Sequence, residues 1–505
     1  MNADSGNDRA NSSELDQVVS EVASEAHVSA EALRPEERAY LKEHALKKPM
    51  GVLHIWALGV GVVITGEYFG WNPGLKEGGP IGMLLASLFV CALYMMWVLA
   101  LSELSVAMPF AGGPLAYGRR AVGPAFGFIM GWSMFLEALF ATIGTAIATG
   151  GYIYYVAQLL FPNVVDEKLT TTIAGLGTVA VFAVVQWIGS QRQAQLMEWM
   201  TYGAIIALVW FWIACIPGVR LDRIFSDTEP LLANGWTGVL KAIPFAIWWL
   251  VMIETVALAP EEAHEPHRTI PRGLTLAQIT LIVLVILTWF FAAAAGTDYK
   301  KTGDEKMSYP LPFVYGEVWP DSGHLIAFSI LAIFGMIVSY NGMIYATSRQ
   351  SFALGRAGYL PRVLGHVHAT RRTPDASIFV WSLVVAGFVV WGYYNEDAVL
   401  DAVLTCNLTA LIWYVLAMIC LFVLRRRDPD LPRPYKVPLY PVLPALVLLM
   451  SLFSAGIYIW YYHDKPHILI LTLIMYGVGL GYHFLFARRR LISAAPEELA
   501  ARRNA

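Results

Sequence analysis

Twelve apolar runs, each long enough to cross a bilayer as a helix, dictate what this chain of 505 residues can become. They fall at about 52–71, 81–109, 123–160, 169–189, 196–217 and 236–260, then at 273–296, 324–354, 377–394, 398–424, 438–462 and 468–487. A spanning helix needs roughly 20 predominantly apolar residues, and in hydrocarbon only helices and closed barrels satisfy every backbone group. The expected fold class is therefore an all-α polytopic membrane protein with 12 transmembrane helices. Charged residues make up 14% of the chain, against about 25% in soluble domains. No polar stretch is long enough to bury a core of its own. The partners expected are the lipid bilayer and a small solute, not nucleic acid.

Basic residues orient the chain. With both termini inside, the cytoplasmic loops hold Arg119, Arg120, Arg268, Arg272, Arg356, Arg362, Arg371, Arg372, Arg425, Arg426, Arg427, Arg433 and Lys436. The external loops hold only a scatter such as Lys76, Lys168, Arg220, Lys300 and Lys306. This is the positive-inside pattern, and it predicts a multi-pass cell (inner) membrane protein with cytoplasmic N- and C-termini. The opening ~45 residues are polar and acidic with no apolar stretch of the signal-peptide kind, so no cleavable leader is expected. The tail through about Ser29 is expected to be disordered, and 35–48 reads as a charged amphipathic helix on the inner surface. The expected divisions are a tail at 1–49, a transport core at 50–424, helices eleven and twelve at 425–487, and a basic-then-polar tail at 488–505. Cys91, Cys215, Cys406 and Cys420 all lie in apolar runs, which is neither a disulfide framework nor a metal spacing.

Within this apolar frame, a few polar residues stand out. Glu67 sits in Gly66-Glu67-Tyr68-Phe69-Gly70 near the end of the first run. Translocon scales charge about 2.5–3.5 kcal/mol for a carboxylate at a helix centre, so an acid at membrane depth marks a functional site by default. Thr65, Gly66 and the nearby Gly59-Val60-Gly61 free the backbone beside it, as at transporter sites built on broken helices. Glu254 is the second such acid, on helix six, following Trp248-Trp249-Leu250-Val251. An indole face attracts ammonium groups, although one of two adjacent tryptophans must point elsewhere. Glu137 on helix three ranks below these two as a site, pairing or proton-carrying group. Asn341 on helix eight is either a polar contact or an interhelical hydrogen bond. Glu261, Glu262, His264, Glu265 and His267 lack a metal-site spacing and read as a solvated cytoplasmic gate or loop. With no nucleophile elbow, phosphate loop or zinc motif, the chain is not expected to be an enzyme and needs no cofactor.

The stretch Pro109-Phe110-Ala111-Gly112-Gly113-Pro114-Leu115-Ala116-Tyr117-Gly118-Arg119-Arg120 resembles the segment between helices two and three of the amino acid–polyamine–organocation (APC) transporters. Glu103, Glu261-Glu262, Pro266, Ile270-Pro271-Arg272 and Ala353-Leu354-Gly355-Arg356-Ala357-Gly358-Tyr359 fit the same family in the same order. Gly66-Glu67-Tyr68-Phe69-Gly70-Trp71-Asn72 looks most like its ethanolamine permease branch. The resemblance implies a five-plus-five inverted repeat of the LeuT kind with two further C-terminal helices, and transport by alternating access. By position it implies substrate contacts at Thr65, Gly66, Glu67 and Tyr68, at Ala138 and Thr142, at Trp248, Val251 and Glu254, and at Asn341 and Met343. Glu67, Glu137 and Glu254 become candidates for proton coupling, with H+ or Na+ as the coupling ion. Where amino acid carriers of the family have a small residue, this chain has Glu67, which would repel a substrate carboxylate. Uptake or symport of a small amine, ethanolamine first, is therefore expected, with an amino acid or polyamine permease or exchanger as the alternative. Met252 stands where the family usually has a glycine, which leaves the shape of the helix-six break open.

Overall fold

The computed structural model describes residues 19–20, 23–24, 33–44, 50–225, 230–320, 323–461 and 466–501. Most of the expected disordered tail, and the end of the surface helix beyond 44, lie outside the described residues. The surface helix is α1 (Pro35–Glu43), followed by α2 (Val52–Val63), α3 (Thr65–Tyr68), α4 (Pro73–Ala107) and α5 (Gly113–Ala121). Then come α6 (Pro124–Leu160), α7 (Glu167–Ile188), α8 (Ser190–Cys215), α9 (Gly235–Ile247) and α10 (Pro266–Ala295). The last are α11 (Gly323–Arg356), α12 (Asp375–Gly392), α13 (Ala398–Arg427), α14 (Val442–Tyr461), α15 (Pro466–Leu485) and the short α16 (Pro496–Leu499).

Among the described residues, ten helices are long and apolar enough to cross a membrane unaided. The other two crossings, the first and the sixth, are both broken, as a five-plus-five repeat requires. The first ascends through α2 and α3, then turns extended at Phe69 (φ −161°, ψ 172°). It resumes as the opening turns of α4, which bends sharply at Gly79 before Pro80 and only then becomes the second crossing. The first apolar run, 52–71, is thus broken at the glycines around Glu67, as their placement suggests, and leads into an extended link at Phe69. Asn72 pins that link: its side-chain amide donates to the carbonyls of Thr302 (3.0 Å), Asp304 (3.2 Å) and Met307 (3.2 Å), and its Oδ1 accepts from Gly70 N.

The sixth crossing is α9, a turn over 248–252, and a 3₁₀ segment Ile253–Leu258. Met252 makes the turn with φ 80°, a left-handed conformation that costs an L-residue roughly 1–2 kcal/mol. This answers the open question of the helix-six break: it forms without glycine, and the fully buried Met252 side chain is retained in the core.

The ends of the crossings that carry the arginine-rich loops are tied together by buried ion pairs. Glu262 accepts from Arg349 at 2.7 Å and from the Tyr345 hydroxyl at 2.9 Å. Glu261 binds Arg356 through both oxygens and also accepts from Ala111 N. Of the acid–histidine cluster after helix six, Glu261 and Glu262 are therefore buried, their charge compensated by two arginines on α11, while His264, Glu265 and His267 are exposed as a solvated loop requires. The C-terminal segment joins in. Glu497 of α16 meets Arg356 at 2.6 Å, and Glu498 meets Arg119 at 2.8 Å and the Tyr359 hydroxyl. The expected surface helix α1 reaches the same place, its Tyr40 hydroxyl donating to the Arg356 carbonyl.

Candidate functional site

The first crossing presents two faces, set by 3.6 residues per turn. One runs through Gly61, Thr65 and Tyr68 and meets α8 and α11. A Cβ on Gly61 would lie 2.5 Å from Thr201 Oγ1. Thr65 N donates to Ser339 Oγ at 2.9 Å, and the Tyr68 hydroxyl donates to the Ala204 carbonyl at 2.6 Å. The other face runs through Gly59, against Ala277 and Val256, to Glu67. Glu67 is fully buried, and its carboxyl faces Thr288 of α10, with Cys91 of α4 on the same side. Neither of its oxygens has a hydrogen-bond donor at proper geometry among the described residues.

The two breaks lie against each other. A Cβ on Gly66 would come within 2.5 Å of the Trp248 carbonyl oxygen, so the half-helices meet backbone to backbone. Gly70 has φ 87° and the Trp248 ring 2.4 Å from where a Cβ would sit, so only glycine fits. Trp248 also packs edge-on to Phe69. Trp249 does the structural work of the tryptophan pair, stacked on Trp71 at 4.5 Å with Nε1 donating to Ser87 Oγ.

Glu254 is brought together with Glu137 of α6. The two carboxyls lie close enough to feel each other, beside the backbone of Met252. Two consecutive residues of α13 hold them. Trp413 Nε1 donates to Glu137 Oε2 at 2.7 Å, and the Tyr414 hydroxyl donates to Glu254 Oε1. The Tyr94 hydroxyl lies 3.0 Å from that of Tyr414, and Trp97 packs against both α13 rings. Sequence reasoning missed these four aromatics, since in an apolar helix a tryptophan or tyrosine carries no mark that separates core from site. Glu137 Oε1 and Glu254 Oε2 are left without a donor among the described residues.

The remaining candidates distribute around this centre. Thr142 donates to the Ala138 carbonyl at 2.7 Å and lies 3.1 Å from Thr347 Oγ1. Met343 Sδ accepts from Thr145 at 3.1 Å, and Val251 is buried in the helix-six turn. Asn341 points to the far side of α11, where Gln186 of α7 donates to both its carbonyl and its Oδ1. It lies with α7 and α8 and not with the carboxyl pair.

One charge census follows from these contacts. Among the buried glutamates, Glu37, Glu103, Glu261, Glu262, Glu497 and Glu498 each touch an arginine. Glu67, Glu137 and Glu254, all beside the two helix breaks, have no basic partner among the described residues.

A bundle of twelve crossings, two of them broken against each other around acids with no basic partner among the described residues, defines a multi-pass membrane carrier. The chain belongs to the amino acid permease family, whose model matches residues 50–480. It is a transporter and not an enzyme. It is 28% identical over 410 residues to an uncharacterized transporter of Rhizobium meliloti, covering 80% of this chain and 85% of the relative. It is 24% identical over 469 residues to a branched-chain amino acid permease of Bacillus subtilis, covering 88% and 94%. A methylthioribose transporter of Bacillus subtilis is 26% identical over 468 residues, covering 89% and 96%.

Proposed function

We propose that this permease moves a small organic amine, ethanolamine first, across the cell (inner) membrane by alternating access, with both termini cytoplasmic. The observation that carries the reading is the charge census: Glu67, Glu137 and Glu254 are buried at the helix breaks with no base to pair them among the described residues. Buried carboxylates require a cation or a proton, since an uncompensated charge is strongly destabilising. A ligand with an ammonium and no acid group supplies the missing charge. A ligand carboxylate would add to the negative field, at about 4 kcal/mol for two like charges 4 Å apart at an effective dielectric of 20.

In this reading the ammonium meets Glu137 and Glu254. Thr65, Gly66, Ala138, Thr142, Val251 and Met343 line the path, and Trp248 closes it beside the link at Phe69. Glu67, on the opposite face of the first crossing, is the candidate for the coupling ion. Tyr68 and Asn341 hold α8, α11 and α7 together on the other face of that crossing. The arginine-rich cytoplasmic loops support the orientation.

A second reading, an amino acid permease or exchanger, is favoured by relatives that bear such names, among them a serine/threonine exchanger of Bacillus subtilis that is 27% identical over 431 residues. Counterflow in proteoliposomes separates the two. Vesicles loaded with ethanolamine accumulate labelled ethanolamine, and vesicles loaded with alanine do not accumulate labelled alanine. The reverse pattern assigns the permease to amino acids.

A further inference from the structure

The Glu137–Glu254 pair offers more than negative charge. Each carboxyl has one oxygen capped by a donor from α13 and one with no donor among the described residues: Trp413 caps Glu137 Oε2, Tyr414 caps Glu254 Oε1, and Glu137 Oε1 and Glu254 Oε2 remain open. The site thus presents two oxygens without a donor among the described residues, on two neighbouring carboxyls. A buried acceptor left unmade costs free energy, and more so when charged. An ammonium that can donate at least two N–H bonds satisfies both. A quaternary ammonium satisfies neither, however well its charge is placed. The usual alternative for quaternary ammonium, an aromatic cage, is closed here. Trp97 packs tilted against Tyr414, 4.3 Å between ring centroids, and edge-on against Trp413 at 4.8 Å, so these rings pack on one another instead of around an open centre.

We propose that the carboxyl pair, held by Trp413 and Tyr414, selects primary and secondary ammonium groups and rejects quaternary ones by counting N–H donors. Tyr414 acts as a positioning residue: its hydroxyl fixes Glu254 so that Oε2 alone is open, and Tyr94 backs it at 3.0 Å. The proposal rests on the amine reading above and names which amines that site takes.

The test is displacement of labelled ethanolamine from the full-length protein in nanodiscs by ethanolamine and by its N-methyl, N,N-dimethyl and N,N,N-trimethyl derivatives. These carry three, two, one and no ammonium N–H groups. The expected ladder is uneven. The first methyl group changes affinity by less than about threefold, because two donors remain for two acceptors. Each of the next two steps weakens binding about tenfold or more, as one charged hydrogen bond is lost at a time. A flat ladder with choline within threefold of ethanolamine overturns the donor-counting rule while leaving the amine reading standing. Failure of every amine, ethanolamine included, to bind overturns that reading and the rule with it. In Tyr414→Phe the ratio of ethanolamine to choline affinity should fall about tenfold. A merely destabilised variant weakens both ligands together, and an unchanged ratio removes Tyr414 from the role.

Discussion

At the scale of single residues, the decisive fact is which acids have partners. The sequence marks Glu67 and Glu254 as the leading acids and sets Glu137 behind them. The structure pairs Glu137 with Glu254 and turns Glu67 toward Thr288 and Cys91. Glu137→Gln and Glu254→Gln are therefore each expected to weaken ethanolamine binding about ten- to a hundredfold, the worth of a hydrogen bond to a charged group. Glu67→Gln is expected to change it by less than about threefold while altering ion coupling, so uptake slows without loss of equilibrium binding. Displacement of labelled ethanolamine measures the first and proteoliposome uptake the second. Equal losses at all three positions would mean that the acids share one pocket. The acids themselves were legible because a carboxylate among apolar residues has few bland explanations. The side that each one faces was not, because that depends on how neighbouring helices seat. The same holds for Asn341, whose partner Gln186 lies 155 residues away along the chain.

At the scale of elements, the breaks in the first and sixth crossings create the site. The glycines around Glu67 pointed to the first break, and Gly66 and Gly70 are glycines because a second backbone and an indole ring occupy the space beside them. Gly66→Ala should abolish uptake, since its Cβ would lie 2.5 Å from the Trp248 carbonyl oxygen and force the half-helices apart. The second break carries no glycine, so its geometry could not be read from sequence; Met252 adopts the left-handed turn regardless. Comparing two truncations isolates that strain. Met252→Ala and Met252→Gly both remove the buried side chain, but only glycine relieves the backbone, so the glycine variant should be the more stable by about 1 kcal/mol. Thermal unfolding of the two purified variants measures the difference, and an alanine variant as stable as the glycine one would show that the turn is not strained.

At the scale of the whole molecule, the crossings and their order were legible from hydropathy, while the closure at the arginine-rich end was not. The segment from 488 onward reads only as a basic-then-polar tail, yet Glu497 and Glu498 are buried against Arg356 and Arg119. Each charge finds its partner from a distant segment, and pattern along the chain does not reveal such pairings. Arg356→Met leaves Glu261 and Glu497 buried without their arginine and should destabilise the fold by about 3–5 kcal/mol. Glu497→Gln keeps the packing and should instead loosen the closure, seen as faster labelling of a cysteine placed at Ala111; unchanged labelling would mean the tail contributes nothing to the closed state. The central claim is that unpaired acids at the helix breaks select an amine without an acid group. The most direct measurement is thermal stabilisation of the purified protein by ethanolamine, putrescine, alanine and glutamate. A ligand at a hundred times its Kd adds about 2.7 kcal/mol to the folded state. The account predicts that ethanolamine raises the melting temperature and that alanine and glutamate do not. Stabilisation by alanine or glutamate without any by ethanolamine would contradict it.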